Sequence, residues 1–298
     1  MTDRLAKALR EAMPGLEVRE EEPLREHTTL HIGGPARRLL LPASAGELTE
    51  LCALLRRWGE KPLILGNGSN VLAPDAGIDG TVIVTKKAEA VTLRGEAVEA
   101  ECGAALTRVS AFAGEQGLTG LEFAYGIPGT LGGALVMNAG AYGGEMKDVT
   151  AWAEYLDGEL RLRRAEGDAL GFAYRHSRFG PEDVILRASL SLRRGDGEAV
   201  RARCRELAEK RRASQPLEWP SAGSAFKRPR EGYAAAMIDR AGLKGYTVGG
   251  AQVSEKHAGF IINRGGATAE DMKKILEDVR QRVYERTGVL LEREIRIL

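Results

Sequence analysis

The stretch GIPGTLGGALVMNAGAYGG, residues 126–144, decides how this chain reads. Glycines are set among apolar and small residues, with a single Asn, and there is no G-X-Y period. A plain connector does not need such a composition. Small residues let a flat ligand lie directly on the backbone, and open N–H groups can hold phosphate. Thr130 and Asn138 offer a hydroxyl and an amide to such a ligand. A glycine-rich packing segment between two sheets is the competing reading.

Glycine is in excess over the whole chain, with 37 in 298 residues, against roughly 7% in average usage. It concentrates between Gly103 and Gly144 and again between Gly242 and Gly266. Ahead of the first cluster, the apolar run Leu63–Leu65 reads as a buried strand and leads into Gly66-Asn67-Gly68-Ser69-Asn70. A strand entering such a turn can cradle phosphate on backbone N–H groups. It can equally be a tight hairpin. It is not G-x-G-x-x-G, and no acidic residue follows at the dinucleotide-fold spacing, so a standard Rossmann site is not supported.

Composition narrows the class further. With 43 basic and 42 acidic residues the net charge is +1, which argues against a nucleic-acid or membrane-surface protein. No apolar run approaches the roughly 18 residues of a membrane span. The N-terminus is charged and amphipathic rather than a signal peptide. Cys52, Cys102 and Cys204 are odd in number and far apart, so neither a disulfide framework nor a thiolate metal site is suggested. We expect a cytoplasmic protein, a monomer, with no metal. His27 and His31 could pair on a helix, but Gly33-Gly34 beyond them argues for extended chain.

Helices and strands are mixed without strict alternation, which favours an α+β class. Helices are expected at 1–15, 44–58 (capped by Ser44 with Glu47), 107–117, 199–213, 234–243 and 269–287 (capped by Thr268 with Asp271). Strands are expected at 81–85, 91–94, 97–101, through 149–193, and over 289–298 with Glu292, Glu294 and Arg296 on one face. A domain boundary is placed near Gly195-Asp196-Gly197.

Three further constellations carry chemistry. Tyr174-Arg175-His176-Ser177 holds an Arg beside an aromatic, able to grip a carboxylate or phosphate. Around Ser224, small neighbours leave the hydroxyl open and Lys227 and Arg228 add charge, with no G-x-S-x-G elbow to make it a nucleophile. A proton donor or phosphate ligand fits better than a nucleophile, and a turn serine is the plain alternative. The carboxylates of the last strand are read as solvated unless something else places them in a site.

Taken in order, these segments resemble the UDP-N-acetylenolpyruvoylglucosamine reductases, flavoenzymes of bacterial peptidoglycan synthesis. The similarity begins at Thr28-Thr29, passes through 66–70 and 120–142, and continues at Tyr174-Arg175-His176-Ser177, Gly223-Ser224-Ala225-Phe226-Lys227, 249–258 and 291–295. It implies an FAD-binding fold of the vanillyl-alcohol-oxidase type, in two α+β subdomains at about 1–85 and 86–198. A smaller α+β substrate domain would cover 199–298, its terminal strand returning to the active site.

The resemblance also implies non-covalent FAD and NADPH as co-substrate. NADPH would reduce the flavin and leave, and the enolpyruvyl sugar nucleotide would then take the hydride. Arg175 and Glu294 would polarise the enolpyruvyl carboxylate, and Ser224 would deliver the proton. Glu294 is preferred over Glu292 because it immediately precedes the Ile of the last strand. FAD contacts would come from Thr29, Gly66, Asn67, Gly68, Ser69 and Asn70, from Tyr125, Gly126, Pro128, Gly129, Thr130 and Gly133, and from Asn138, Gly140 and Ala141. Substrate contacts would come from Tyr174, Lys227, Arg228 and His257.

This chain resembles the shorter members, which lack an insertion carrying a substrate-gripping Tyr. The basic segment 199–213, Lys227, Arg228 and Ser254–His257 are the candidates to replace it. His27 and Arg228 stand where Asn is common. A second reading on the same fold, an oxidase of alcohols or hydroxy acids, would attach its flavin covalently, with His31 or Cys102 as anchor.

Overall fold

The computed structural model describes residues 4–298. Seven α-helices lie among them: α1 (Arg4–Ala12), α2 (Ala45–Arg57), α3 (Leu106–Glu115), α4 (Leu131–Val136), α5 (Gly197–Ser214), α6 (Ala234–Arg240) and α7 (Ala269–Thr287). The chain divides into two compact units. One comprises 1–21, 37–67 and 80–210, and the other 22–36, 68–79 and 211–298. By this division the boundary falls at 210/211, near the end of α5, whereas the expectation placed it near the start of that helix. The second unit also takes in two early segments that no change of composition marks.

The first unit carries two sheets. One has the order Glu17–Pro23, Pro35–Leu41, Ile78–Val84, Leu63–Leu65, and its last two strands run parallel. The other is antiparallel, in the order Leu162–Glu166, Thr150–Leu156, Val184–Ser191, Ala97–Glu101, Val91–Arg94. Leu48, Leu51 and Leu55 of α2, and Leu106 and Val109 of α3, are fully buried in the core of this unit. Ser44 caps α2 by accepting from the Glu47 N–H at 3.1 Å. Glu47 reaches back to the N–H of Ala43 rather than that of Ser44.

The glycine-rich stretch is not one continuous loop. Residues 131–136 wind into the short helix α4, and Gly140–Ala141 pair with Gly144–Glu145 as a small ladder.

The second unit has the antiparallel order Ser221–Ser224, Phe260–Asn263, Ala251–Val253, Thr247–Val248, with α6 and α7 contributing to its core. Met272, Ile275, Val279 and Val283 of α7 are fully buried there. A reciprocal capping box of Thr268 and Asp271 opens α7, and Gly288 in the left-handed conformation closes it.

The terminal strand differs from the expectation. Only Arg296–Ile297 is regular, and it runs parallel to Val71–Leu72. Residues 292–294 instead lie along 225–227. Two partners in succession break the alternation, so Glu292 and Glu294 differ in exposure, the first open and the second intermediate. Among the described residues no helix is long and apolar enough to cross a membrane.

Candidate active site

In the first unit a cleft of about 450 Å³ is lined by Asn67, Lys86, Glu89, Gly103, Ala105, Thr107, Gly126, Pro128, Gly129 and Thr130. Two of its walls depend on glycine through close approach of protein to protein. A Cβ at Gly103 would overlap the Thr85 carbonyl oxygen, and one at Gly66 would overlap the Thr130 hydroxyl. These glycines therefore shape the cleft instead of only baring it to a ligand. The expected segments Gly66-Asn67 and Gly126–Thr130 do meet here. Gly103, Ala105 and Thr107 fall in the glycine-rich stretch 103–144 without having been named singly, whereas Lys86 and Glu89 lie outside every expected segment. The Lys86-Lys87 pair directly after a buried strand was the one available signal.

The remaining expected contacts fall elsewhere. The turn 66–70 passes from the first unit to the second after Asn67, so Ser69 and Asn70 belong to the second unit. Thr29 donates to the Ser221 carbonyl at 2.7 Å. Tyr125 ends a 3₁₀ turn, and the Gly133 N–H meets the Thr130 hydroxyl at 3.5 Å as the cap of α4.

Asn138 needs correction. It is fully buried, its amide donates to Glu145 at 2.7 Å and to the Ala173 carbonyl at 3.1 Å, and its oxygen accepts from the Lys147 N–H at 2.9 Å. With both donor and acceptor committed, we assign it to the protein framework rather than to a ligand.

That framework carries Arg175. Ala173 and His176 exchange both backbone hydrogen bonds, leaving Tyr174 and Arg175 at the tip of a two-residue turn. Arg175 adopts φ +53°, and its guanidinium stands 5.1 Å from the centre of the Tyr174 ring. Ser177, buried, anchors the turn by donating to the Val136 carbonyl at 3.0 Å. One side of the turn is thus tied to α4 and the other to Asn138.

In the second unit Gly223 has φ +74° inside the strand Ser221–Ser224, where the register against Phe260–Asn263 slips. A left-handed glycine at such a bulge re-aims the next side chain. That side chain is Ser224, part-exposed, whose hydroxyl makes no hydrogen bond to the described residues. Alongside, the Glu294 N–H donates to the Ala225 carbonyl at 2.9 Å, and the Lys227 N–H donates to the Glu292 carbonyl at 2.8 Å. The Asn70 amide donates to the Glu294 carbonyl at 3.1 Å, and the Arg296 N–H returns to the Asn70 carbonyl at 3.0 Å. Asn70 therefore pins the backbone that bears Glu294.

Of the substrate candidates, Lys227 pairs with Glu292 at 2.5 Å, and Arg228 lies 4.0 Å over the Tyr233 ring. The buried Ser254 hydroxyl is spent accepting from the Lys256 and His257 N–H groups. His257 accepts the Gly259 N–H on Nδ1 at 3.2 Å. Burial lowers its pKa, so at neutral pH it is uncharged with its proton on Nε2. In α5, Glu206 pairs with both Arg203 and Lys210, which offsets part of that helix's positive charge.

The FAD binding domain family matches residues 36–165, and the C-terminal domain of UDP-N-acetylenolpyruvoylglucosamine reductase matches residues 215–298. The reductase of Caldicellulosiruptor bescii is 48% identical over 290 residues, covering 95% of this chain and 91% of that protein. This chain belongs to the UDP-N-acetylenolpyruvoylglucosamine reductases.

The Pediococcus pentosaceus reductase agrees, at 45% identity over 98% of both chains. The crystal structure of the Thermus caldophilus reductase superposes with a TM-score of 0.79 at 34% identity, over 95% of this chain and 98% of that one. An alkyldihydroxyacetonephosphate synthase structure, at 16% identity, TM-score 0.50 and 65% coverage of this chain, shares the fold alone. The reductase fold, FAD-binding domain plus smaller C-terminal domain, is therefore that of this chain, and FAD is its cofactor.

The cleft of the first unit lies within the FAD-binding match and fits such a group. Its lining includes Gly126 and Gly129, which carry no side chain, the Asn67 amide and an ammonium, Lys86. Cys102, by contrast, is fully buried and its thiol is pushed up to about 12, which leaves no thiolate to anchor a flavin covalently.

Proposed function

We propose that the enzyme reduces UDP-N-acetylglucosamine enolpyruvate to UDP-N-acetylmuramate with electrons from NADPH, and that Arg175, Ser224 and Glu294 act on the substrate. When bound, held by Asn67, Gly126, Pro128, Gly129 and Thr130, FAD would supply hydride chemistry between NADPH and the alkene. The residues named here do the rest. Arg175 faces the enolpyruvyl carboxylate, where charge develops, and a guanidinium fixed by a tight turn needs little reorganisation to stabilise it. Glu294 acts at the same carboxylate, its backbone held by Asn70 and Ala225. Ser224 donates its proton to the carbon bearing the carboxylate. Serine is a feeble acid in water, but next to an enolate-like carbon its placement outweighs the pKa mismatch.

The observation that carries this reading is the bulge at Gly223, which presents a serine hydroxyl with no hydrogen bond to the described residues. Separating the half-reactions by anaerobic stopped flow tests it. Ser224→Ala should leave flavin reduction by NADPH unchanged and slow reoxidation by the enolpyruvyl substrate about 10²-fold or more, the range of a general acid. Wild-type reoxidation would assign the proton to another group. FAD contacts are proposed for Asn67, Gly126, Pro128, Gly129 and Thr130, and substrate contacts for Tyr174, Lys227, Arg228 and His257.

We place the enzyme in the cytoplasm as a monomer. Its three cysteines are free and buried, as suits a reducing compartment. Light scattering should return the mass of a single 32.2 kDa chain.

A further inference from the structure

The cofactor cleft contains a cation for which the residues around it provide no counter-charge. Lys86 sits in the 3₁₀ turn Thr85–Lys87, directly after the strand Ile78–Val84, and is half-buried. Glu89 is the one carboxylate lining the cleft, and it is engaged by Arg108 at 2.8 Å. The neighbouring Lys87 is paired with Glu17. Lys86 itself has neither ion pair nor hydrogen bond among the described residues.

Burying an ammonium without a partner is unfavourable, and here it lowers the pKa of Lys86. An anion entering the cleft would remove that penalty. Lys86 lines the cleft together with Gly126, Gly129 and Asn67, where bare backbone and an amide accept a ligand. The diphosphate is the one group of oxidised FAD that is ionised at neutral pH.

We propose that Lys86 is the counter-charge for the FAD diphosphate. The inference rests on FAD being the ligand of this cleft. A colourless wild-type protein would remove that premise, whereas a yellow protein indifferent to Lys86 would remove only the inference.

The test is FAD release from diluted holoenzyme, followed by the fluorescence of the free flavin across a range of salt concentrations. Lys86→Gln should raise the Kd about tenfold, as for loss of one charge-assisted contact, and flatten its salt dependence. Lys86→Arg should stay within about threefold of wild type, because the charge is kept. Lys87→Gln, which removes the adjacent charge outside the cleft, should leave the Kd within about twofold.

A second measurement does not depend on the variants folding. Amine acetylation read by mass spectrometry should spare Lys86 in the holoenzyme and modify it once FAD is stripped, with Lys87 equally labelled in both. Three outcomes overturn the proposal: an unchanged Kd and salt slope in Lys86→Gln, an equal loss in Lys87→Gln, or labelling of Lys86 that ignores FAD. An unchanged Kd with a shifted flavin midpoint potential also overturns it, since the charge would then act at the isoalloxazine.

Discussion

Arg175 is held at a left-handed φ that costs a non-glycine residue about 1–2 kcal/mol, and its surroundings must sustain that cost. Asn138 does so from beneath, bridging the Ala173 carbonyl to Glu145 and Lys147. Asn138→Ala would remove three hydrogen bonds, at about 1 kcal/mol each. We expect a lower Tm, and slower substrate reduction with flavin reduction by NADPH preserved. Equal losses in both half-reactions would assign Asn138 to stability alone. Gly223→Ala forces a Cβ into the left-handed region, again at about 1–2 kcal/mol, and should reproduce much of the Ser224→Ala defect while keeping the hydroxyl. The motifs singled out Ser224 and Arg175 as candidates. They showed that Asn138 mattered but not how, because an amide serves a ligand or a carbonyl equally well. Lys86 gave only a faint signal, because a lysine beside a strand reads as solvated until the one nearby carboxylate, Glu89, is seen to be engaged by Arg108.

Among the elements, α7 was the most legible. Its apolar stripe, its Thr268 and Asp271 cap and its closing Gly288 all agree, and the helix spans 269–287 as the pattern indicates. Thr268→Ala should cost about 1 kcal/mol in a denaturant titration. Asp271 accepts the Thr268 N–H, which holds its carboxyl below the ordinary range. A depressed carboxylate contributes stability above its unfolded pKa, near 3.9, and loses it as pH falls through the lower folded value. The acid limb of the stability curve should therefore flatten in Asp271→Asn, measured between about pH 5 and pH 2. The terminal strand was less legible. Its residues alternate well enough on paper, but they pair with 225–227 and then with Val71–Leu72. Nothing in a one-dimensional pattern announces a change of partner, and the Asn70 amide that sits at the change had already been read as a ligand contact.

At the level of the whole molecule, the mixture of helical and strand patterns indicated the α+β class, and the described residues fold as helices and sheets around two cores. The first glycine cluster pointed to the cofactor cleft, though Gly66 and Gly103 turn out to be fixed by neighbouring protein atoms. The interleaved division of the chain was not legible, because segments 22–36 and 68–79 look like their flanks and join the second unit only through distant pairings.

The cysteines give a prediction at this scale. Cys52 and Cys102 are pushed up to about 12 by burial, and Cys204 is raised as well. Native protein should resist thiol reagents at pH 8 and yield all three thiols when unfolded. Unfolded thiols ionise near pH 8.5 while the folded ones stay protonated, so stability should decline as pH rises from there towards 12.

The pairing of Val71–Leu72 with Arg296–Ile297 also has a consequence for synthesis. The partners lie about 225 residues apart, so at 5–20 residues per second the early strand waits roughly 10–45 s for its mate to be translated. Through that interval a growing chain carries an unsatisfied edge that residues 296–297 must close. A pause in translation between the two strands is therefore a burden on maturation before it is one on catalysis.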